Sequence, residues 1–382
     1  MEYSPQKRKF RFHLLGLVHL PVSERYMGCA FTQKIVKMAK MMLSLGHEVI
    51  VYGAESSDVP CTEFVQTHTL RELQDTWGDG DNRFDIGYNW YKDGFRHDFN
   101  KKREQVTLDY YDRCVEEINR RKQPDDFLLV MQGFYHKPIA DRVNLWLTCE
   151  PGIGYRGSYT KYRAFESAYL RNFTYGSENP GQSVNGNWYD RVIPNYFDEK
   201  DFTLQTEKED YFLFIGRVIK RKGLEVAVRT VGQVGGKLII AGQGNPWFKS
   251  DNCEFVGYVG PKERNELMGK AKAVFVPTLY LEAFGGVNVE AQLCGTPVIT
   301  TDFGVFPETV IQGVTGFRCN VLQDFVNAAR EVENLDPIII RKKAERYLMT
   351  NVRFEFQQWF NDLYQLYLSA NDSSIKGWGY CE

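Results

Sequence analysis

Apolar and polar positions along the chain fall into two successive alternations of short apolar runs and amphipathic stretches. In the first, "FRFHLLGLV" (Phe10–Val18) predicts a buried strand. After a polar loop, "FTQKIVKMAKMMLSLG" puts apolar residues at helical spacing, with Lys34, Lys37 and Lys40 on another face. Gly46 stops this helix, and "HEVIVYG" predicts a second strand. Further strands are expected in "DDFLLVMQG" (Asp125–Gly133) and "VNLWLTCEP" (Val143–Pro151). From about Glu63 to Gln123 the chain is polar and aromatic with weak periodicity, and the pattern places no element there.

"DRVIPNYFDEKDF" (Asp190–Phe202) reads as a linker, where Pro194 fixes one φ and biases Ile193 to an extended form. The second alternation follows. Strands are predicted in "DYFLFIG", "KLIIAG", "CEFVG", "AVFVP" and "PVITT". Helices are predicted in "KGLEVAVRTV", in "ERNELMGKA", around Val289 and three times toward the C-terminus. Strands alternating with crossover helices define an α/β fold of two doubly wound, Rossmann-like domains. A chain of 382 residues exceeds one comfortable core, which also argues for two domains. Two such domains joined by a short linker predict a cleft between them, where ligands usually sit.

Composition narrows the class. Apolar residues make up 43% and charged residues 25%, as in soluble globular chains. The net charge of −2 gives no general signal for a nucleic-acid partner. The eight cysteines are scattered, with no paired spacing and no histidine at zinc spacing, as expected of reduced thiols in the cytoplasm. The basic, apolar N-terminus carries His13 and His19 and no small-residue cleavage site, so a first strand fits better than a signal peptide. No stretch reaches the length of a membrane span.

The candidate chemistry centres on "EAFGGVNVE" (Glu282–Glu290). On one continuous helix the two glutamates would sit about 12 Å apart along the axis and could not converge on one small group. Gly285 and Gly286 instead predict a tight turn, with a helix beginning near Val287. The amides of Gly286, Val287 and Asn288 would then form an anion site aided by the helix dipole. A phosphorylated sugar fits such a turn. Taken alone, Glu290 reads more readily as an ordinary first-turn acid and Glu282 as a solvated loop acid. "FIGRVIKRKGLE" changes that balance. It closes a strand at Gly216 and supplies Arg217, Lys220, Arg221 and Lys222 before a helix. Cations at such a turn suit a diphosphate; Lys220 and Arg221 read as solvated.

With these pieces in place, the sequence resembles the retaining, metal-independent family 4 glycosyltransferases of the GT-B fold. The resemblance rests on "MGCAFTQ", "GHEVIVYG", "VIPNYFD", "GRVIKRKGLE", "EFVGYV" and "EAFGGVNVEAQLCGTPVITTDFGVFPETVIQGVTG", in the family's order. It is specific in the C-terminal half and looser in the N-terminal half. It implies an acceptor-side domain over 1–197, a nucleotide-sugar domain over 198–353, and a helix from about 354 that returns to the first, with "FEFQQWFNDLYQLY" the candidate. It implies that Arg217 and Lys222 neutralise a donor diphosphate. Glu290 would bind ribose hydroxyls and Glu282 the hydroxyls of the transferred sugar. Amides of Phe284, Gly285, Gly286, Val287 and Asn288 would hold sugar and phosphate, Gly28 would admit the distal phosphate, and Tyr258 would lie near the nucleobase. The implied reaction moves a sugar from a nucleoside-diphosphate sugar to a saccharide or glycoconjugate acceptor, with no metal and no other cofactor.

One departure stands out. Where many relatives carry a histidine after an N-domain strand, this chain has Cys149-Glu150-Pro151. Glu150 reads either as a replacement, serving as base or sugar ligand, or as a strand-end acid. His136 in "QGFYHKP" and Glu166 in "RAFESAYL" are acceptor candidates, each with a packing role as the alternative. Asp79-x-Asp81 in "GDGDN" reads as a solvated turn rather than a metal site. The basic helix leaves peripheral membrane contact open, although its apolar face suits a core. Other readings are a nucleotide-sugar epimerase or hydrolase, a catalytically silent binding module, and a transferase acting on modified DNA bases. The near-neutral charge disfavours the last.

Overall fold

The computed structural model of the chain describes residues 8–26, 28–78, 84, 104–178, 186–247 and 250–371. They form two compact units. Described residues of 8–165, 186–193 and 353–371 make the first; those of 166–178 and 194–352 make the second.

The first unit is built on a seven-stranded sheet of β1 (Arg11–Leu15), β2 (Glu48–Ala54), β3 (Glu63–His68), β4 (Phe127–Leu129), β5 (Leu147–Ile153), β6 (Tyr162–Phe165) and β7 (Arg191–Val192). The order is β3-β2-β1-β4-β5-β6-β7 and every pairing is parallel. Its central strands are apolar without alternation because helices cover both faces; Phe12, Leu14, Phe127, Leu129 and Leu147 are all fully buried. The strand order reverses between β1 and β4. The second unit carries β8 (Tyr211–Ile215), β9 (Lys237–Ala241), β10 (Cys253–Gly257), β11 (Ala273–Val276), β12 (Val298–Thr301) and β13 (Gly316–Cys319). Its order is β10-β9-β8-β11-β12-β13, again all parallel, reversing between β8 and β11. Open α/β sheets bind ligands outside the carboxyl ends of the strands that flank such a reversal.

The helix Ala30–Ser44 buries Ile35, Val36, Met38, Ala39, Met41 and Met42 in the first unit. Its cations are engaged too: Lys34 Nζ donates to Gly152 O at 2.9 Å, and Lys40 pairs with Glu24. Among the described residues no helix is long and apolar enough to cross a membrane. The helix Met349–Asn371 sends Phe356, Trp359 and Phe360 into the first unit. There Phe360 packs 4.8 Å from Phe12 and 5.2 Å from Phe127, and Gln357 Oε1 meets His47 Nε2 at 2.6 Å.

The structure differs from the periodicity reading in places. The weakly patterned segment holds β3, a helix Leu70–Trp77 closed by a Thr69–Glu72 capping box, and the helix Glu104–Arg121. β3 is an edge strand and so shows mixed burial. β6, β7 and β13 are too short to establish a period. β1 ends at Leu15, not Val18; the Gly16 amide makes the last ladder bond, to Tyr52 O at 2.7 Å, at an approach that leaves no room for a Cβ. Asp79, Asp81 and Cys381 lie outside the described residues.

Candidate functional site

The second unit gathers its polar chemistry where β8 and β11 diverge. After β8 the chain turns at Gly216 (φ +151°), exposes Arg217, and forms a short 3-10 turn over Lys220–Lys222. Gly223 follows with φ +74°, and a Cβ on it would lie 1.9 Å from Pro277 O. Only glycine permits that approach, which presses the basic turn against the loop leaving β11. Lys222 Nζ consequently reaches Glu282 Oε2 at 2.7 Å, and Tyr280 Oη donates to the same oxygen at 2.8 Å. The Tyr280 ring also has Arg221 and Lys222 each 5.0 Å from its centroid. Burial works to lower the pKa of Lys222, but the charge and hydrogen bond of Glu282, with Tyr280, outweigh it and hold the ammonium above its ordinary value. The Arg217 guanidinium makes no hydrogen bond or ion pair with the described residues.

The turn that follows is built as the glycines predict. Gly285 takes φ +71° as the N-cap of the helix Gly286–Leu293, and Asn288 donates to Gly285 O through its amide (2.9 Å) and its Nδ2 (2.6 Å). Asn288 is thus a buried brace for the turn. Its N–H, expected in the anion site, already has an acceptor. The amides of Gly286 and Val287 remain in the first turn, where no intrahelical acceptor exists. The Phe284 side chain is core, with its ring 5.7 Å from Tyr347. Glu290 lies in the helix and pairs with Arg264 at 3.3 Å. Tyr258 is partly exposed just after β10.

The remaining candidates are placed differently. Gly28 is exposed at the end of the loop after β1, in the first unit. Glu150 lies within β5 and is fully buried. It accepts from Tyr155 Oη at 2.7 Å and from the Tyr159 amide at 3.1 Å, with Thr160 Oγ1 at 3.4 Å. Burial pushes its pKa up to about 7, the neutral donors offsetting only part of that cost. His136 is buried in the turn Gly133–His136, not at an open strand end; its Nδ1 accepts from the Met131 amide, and burial takes its pKa down to about 3, leaving it neutral. Glu166 falls in the second unit, between β6 and the helix Ala168–Glu178, and is buried, as its packing reading expects.

Tyr280 and Arg264 escaped the sequence reading. Tyr280 is a single aromatic in a loop, and its one cue is a position two residues before Glu282. Arg264 sits in a polar helix with no marker of its partner.

Comparison with solved structures defines the class of fold. A glycosyltransferase involved in avilamycin A biosynthesis aligns with a TM-score of 0.65 at 18% identity, over 93% of this chain and 98% of its own. Anabaena HepE in complex with UDP and glucose aligns at 0.61 and 12% identity, over 92% and 100%. The chain therefore has an α/β GT-B fold of two parallel-sheet, Rossmann-like units. Within it, residues 196–350 match the family model "Glycosyl transferases group 1". Part of the chain is also similar to curated proteins. Glycogen synthase of Mycobacterium tuberculosis is 30% identical over 177 residues, 41% of this chain and 42% of that protein. D-inositol 3-phosphate glycosyltransferase of Mycolicibacterium smegmatis is 28% identical over 164 residues, 38% and 37%. The chain thus spans about two fifths of the length of the curated relatives it matches.

Proposed function

We propose that the chain is a glycosyltransferase of the retaining, metal-independent family 4 type. It moves a sugar from a nucleoside-diphosphate sugar to a saccharide or glycoconjugate acceptor. The observation that carries this reading is the contact of Lys222 with Glu282 beside the helix start at Gly286, inside the segment that matches the group 1 family model. The names of the relatives and the UDP and glucose in the HepE structure support a nucleotide-sugar donor.

The chemistry follows from charge. Cleavage of a sugar–phosphate bond leaves negative charge on the diphosphate and positive character on the sugar. Lys222, Arg217 and the Gly286 and Val287 amides stabilise the first without reorganising at the moment of reaction. These cations take the role that a metal plays in other transferases. Glu282 binds hydroxyls of the sugar and keeps a negative group near its developing positive charge. The incoming diphosphate competes with Glu282 for Lys222, and Tyr280 holds the carboxylate in place as that exchange occurs. Glu290 takes the ribose hydroxyls, exchanging its contact with Arg264 for them. Buried and held by its own loop, Glu150 positions that loop and is not the base.

The test combines calorimetry and product analysis. UDP and GDP are titrated into the wild type and Lys222→Ala, and sugar transfer from UDP- and GDP-sugars is followed by NMR of the anomeric proton. Tight binding of one nucleotide, weakened at least tenfold by the substitution, with a product of unchanged anomeric configuration, is the expected result. Absence of binding by both nucleotides, or an inverted product, overturns the reading.

A further inference from the structure

A group of aromatic side chains stands where the first sheet reverses direction, outside the carboxyl ends of β1, β4 and β5. Phe134 and Tyr135, in the turn that follows β4, are 57% and 53% exposed. Phe134 stacks on Tyr159 with centroids 5.7 Å apart and planes inclined by 17°. Tyr155 lies on the same loop as Tyr159, its ring 5.3 Å from Phe31 at the start of the helix Ala30–Ser44.

This shelf is rigid for reasons local to it. Gly133 (φ +53°) and Gly157 (φ +94°) bring the two loops together, and the Phe134 amide donates to Gly157 O at 3.0 Å. A Cβ on Gly133 would meet Gly157 O at 2.5 Å, and one on Gly157 would meet the Phe134 ring at 2.8 Å. Beneath them, the buried Glu150 carboxyl ties down Tyr155 and Tyr159 together. The nearby lysines are already committed: Lys137 to Asp141 at 2.6 Å, Lys34 to Gly152 O. Lys137 also lies 5.2 Å from the Tyr159 centroid, so the exposed π-surface is that of Phe134, held against Tyr159, with Tyr135 next to it in the turn.

We infer that Phe134 and Tyr135, with Tyr155 and Tyr159 behind them, form a stacking platform for a pyranose ring of the acceptor saccharide. This rests on the transferase reading above. Three points select the occupant. The place, at the reversal of an open parallel sheet, is where such sheets bind ligands. The exposed rings are far too small for a stable protein partner, which needs about 800 Å² per side. The negative π-face of an aromatic ring attracts the slightly positive C–H face of a sugar, and immobile rings pay little ordering entropy on binding.

An array of neutral mono- and oligosaccharides, probed with the whole chain without any donor, tests the platform. Variants are Phe134→Ala, Tyr135→Ala, Gly157→Ala and, as control, Trp188→Ala, which removes an equally exposed aromatic ahead of β7. Thermal melting verifies folding, and the two exposed positions tolerate truncation. Expected is a wild-type saccharide signal that drops at least tenfold in Phe134→Ala and Tyr135→Ala and persists in Trp188→Ala. A signal unchanged in the double variant Phe134→Ala/Tyr135→Ala, or no wild-type signal on any saccharide, overturns the platform. Titration of UDP and GDP into the same samples reads the transferase proposal separately. Nucleotide binding with an unresponsive array fails the platform alone, and loss of both fails the parent reading.

Discussion

Glu282 and Glu150 are the same side chain in opposite settings. Glu282 stands in the second unit, partly exposed, against an ammonium and a tyrosine hydroxyl. Glu150 stands in the first unit, sealed, with a tyrosine hydroxyl, a backbone amide and a threonine. The first carboxylate has an ammonium and a hydroxyl as its partners. Neutral donors leave the second with a desolvation cost that protonation relieves, hence its pKa of about 7. What separates the two settings is the cation that the neighbouring turn supplies to Glu282 and that Glu150 lacks among its hydrogen-bond partners.

The largest expected effect breaks the Glu282 side of this pair. Lys222→Ala or Glu282→Ala should lower the rate of transfer about 10²–10³-fold, the loss typical of one preorganised charged group. Nucleotide binding should survive in Glu282→Ala and weaken in Lys222→Ala. Steady-state rates with calorimetry check both, and unchanged turnover in Glu282→Ala removes it from the site.

Next comes Glu150→Gln, which sharpens the contrast through pH. The carboxyl titrates near 4.5 in an unfolded chain and about 7 in the folded one. The folded state therefore binds the extra proton between those values. The stability this provides is complete below about pH 4.5 and is lost as pH rises through 7, a difference of roughly 3 kcal/mol. Glutamine mimics the protonated form, so the variant should melt with a flatter pH dependence across this window. Parallel curves from pH 4.5 to 7.5 count against the assignment.

Smaller effects are expected from the two tyrosines. Tyr280→Phe removes one hydrogen bond to a charged oxygen and should slow transfer about tenfold, in line with roughly 1.5 kcal/mol. Tyr155→Phe removes the matching bond to Glu150; it should raise that pKa further, as read by NMR titration, while leaving nucleotide affinity as it was. If both substitutions affect nucleotide binding alike, the two settings are not distinct in the way described.

The elements that carry the second unit's candidate site were legible in the sequence. Its strands are strongly apolar, so Gly216 and Arg217 fall just after β8 and Lys222 just before the helix Leu224–Val234, and two adjacent glycines mark the turn after Glu282. What the sequence could not show was partnership. Gly223 pressing on Pro277 O brings Lys222 to Glu282, and that approach depends on two loops far apart in the chain. Arg221, read as solvated, lies over Tyr280 for the same reason. In the first unit the strands β4 and β5 were legible but their loops were not. His136 ends up buried in the turn after β4, which Gly133 and Gly157 at positive φ hold against the loop after β5, and Glu150 is buried as part of β5 itself. The segment after Glu63 stayed opaque because β3 is an edge strand of mixed burial and the helix Glu104–Arg121 sets its buried Tyr110, Cys114, Val115 and Ile118 among many charged residues.

The helix Met349–Asn371 carries a consequence for synthesis. Phe10, Phe12 and Phe127 are made early, yet part of what covers them is Phe360 and Tyr364. As the polypeptide leaves the ribosome, the first unit must wait with an uncovered aromatic face while the whole of residues 194–352 is translated and folds. That interval is when the nascent protein is most prone to aggregate or to need a chaperone. Truncation before residue 353 would make the delay permanent.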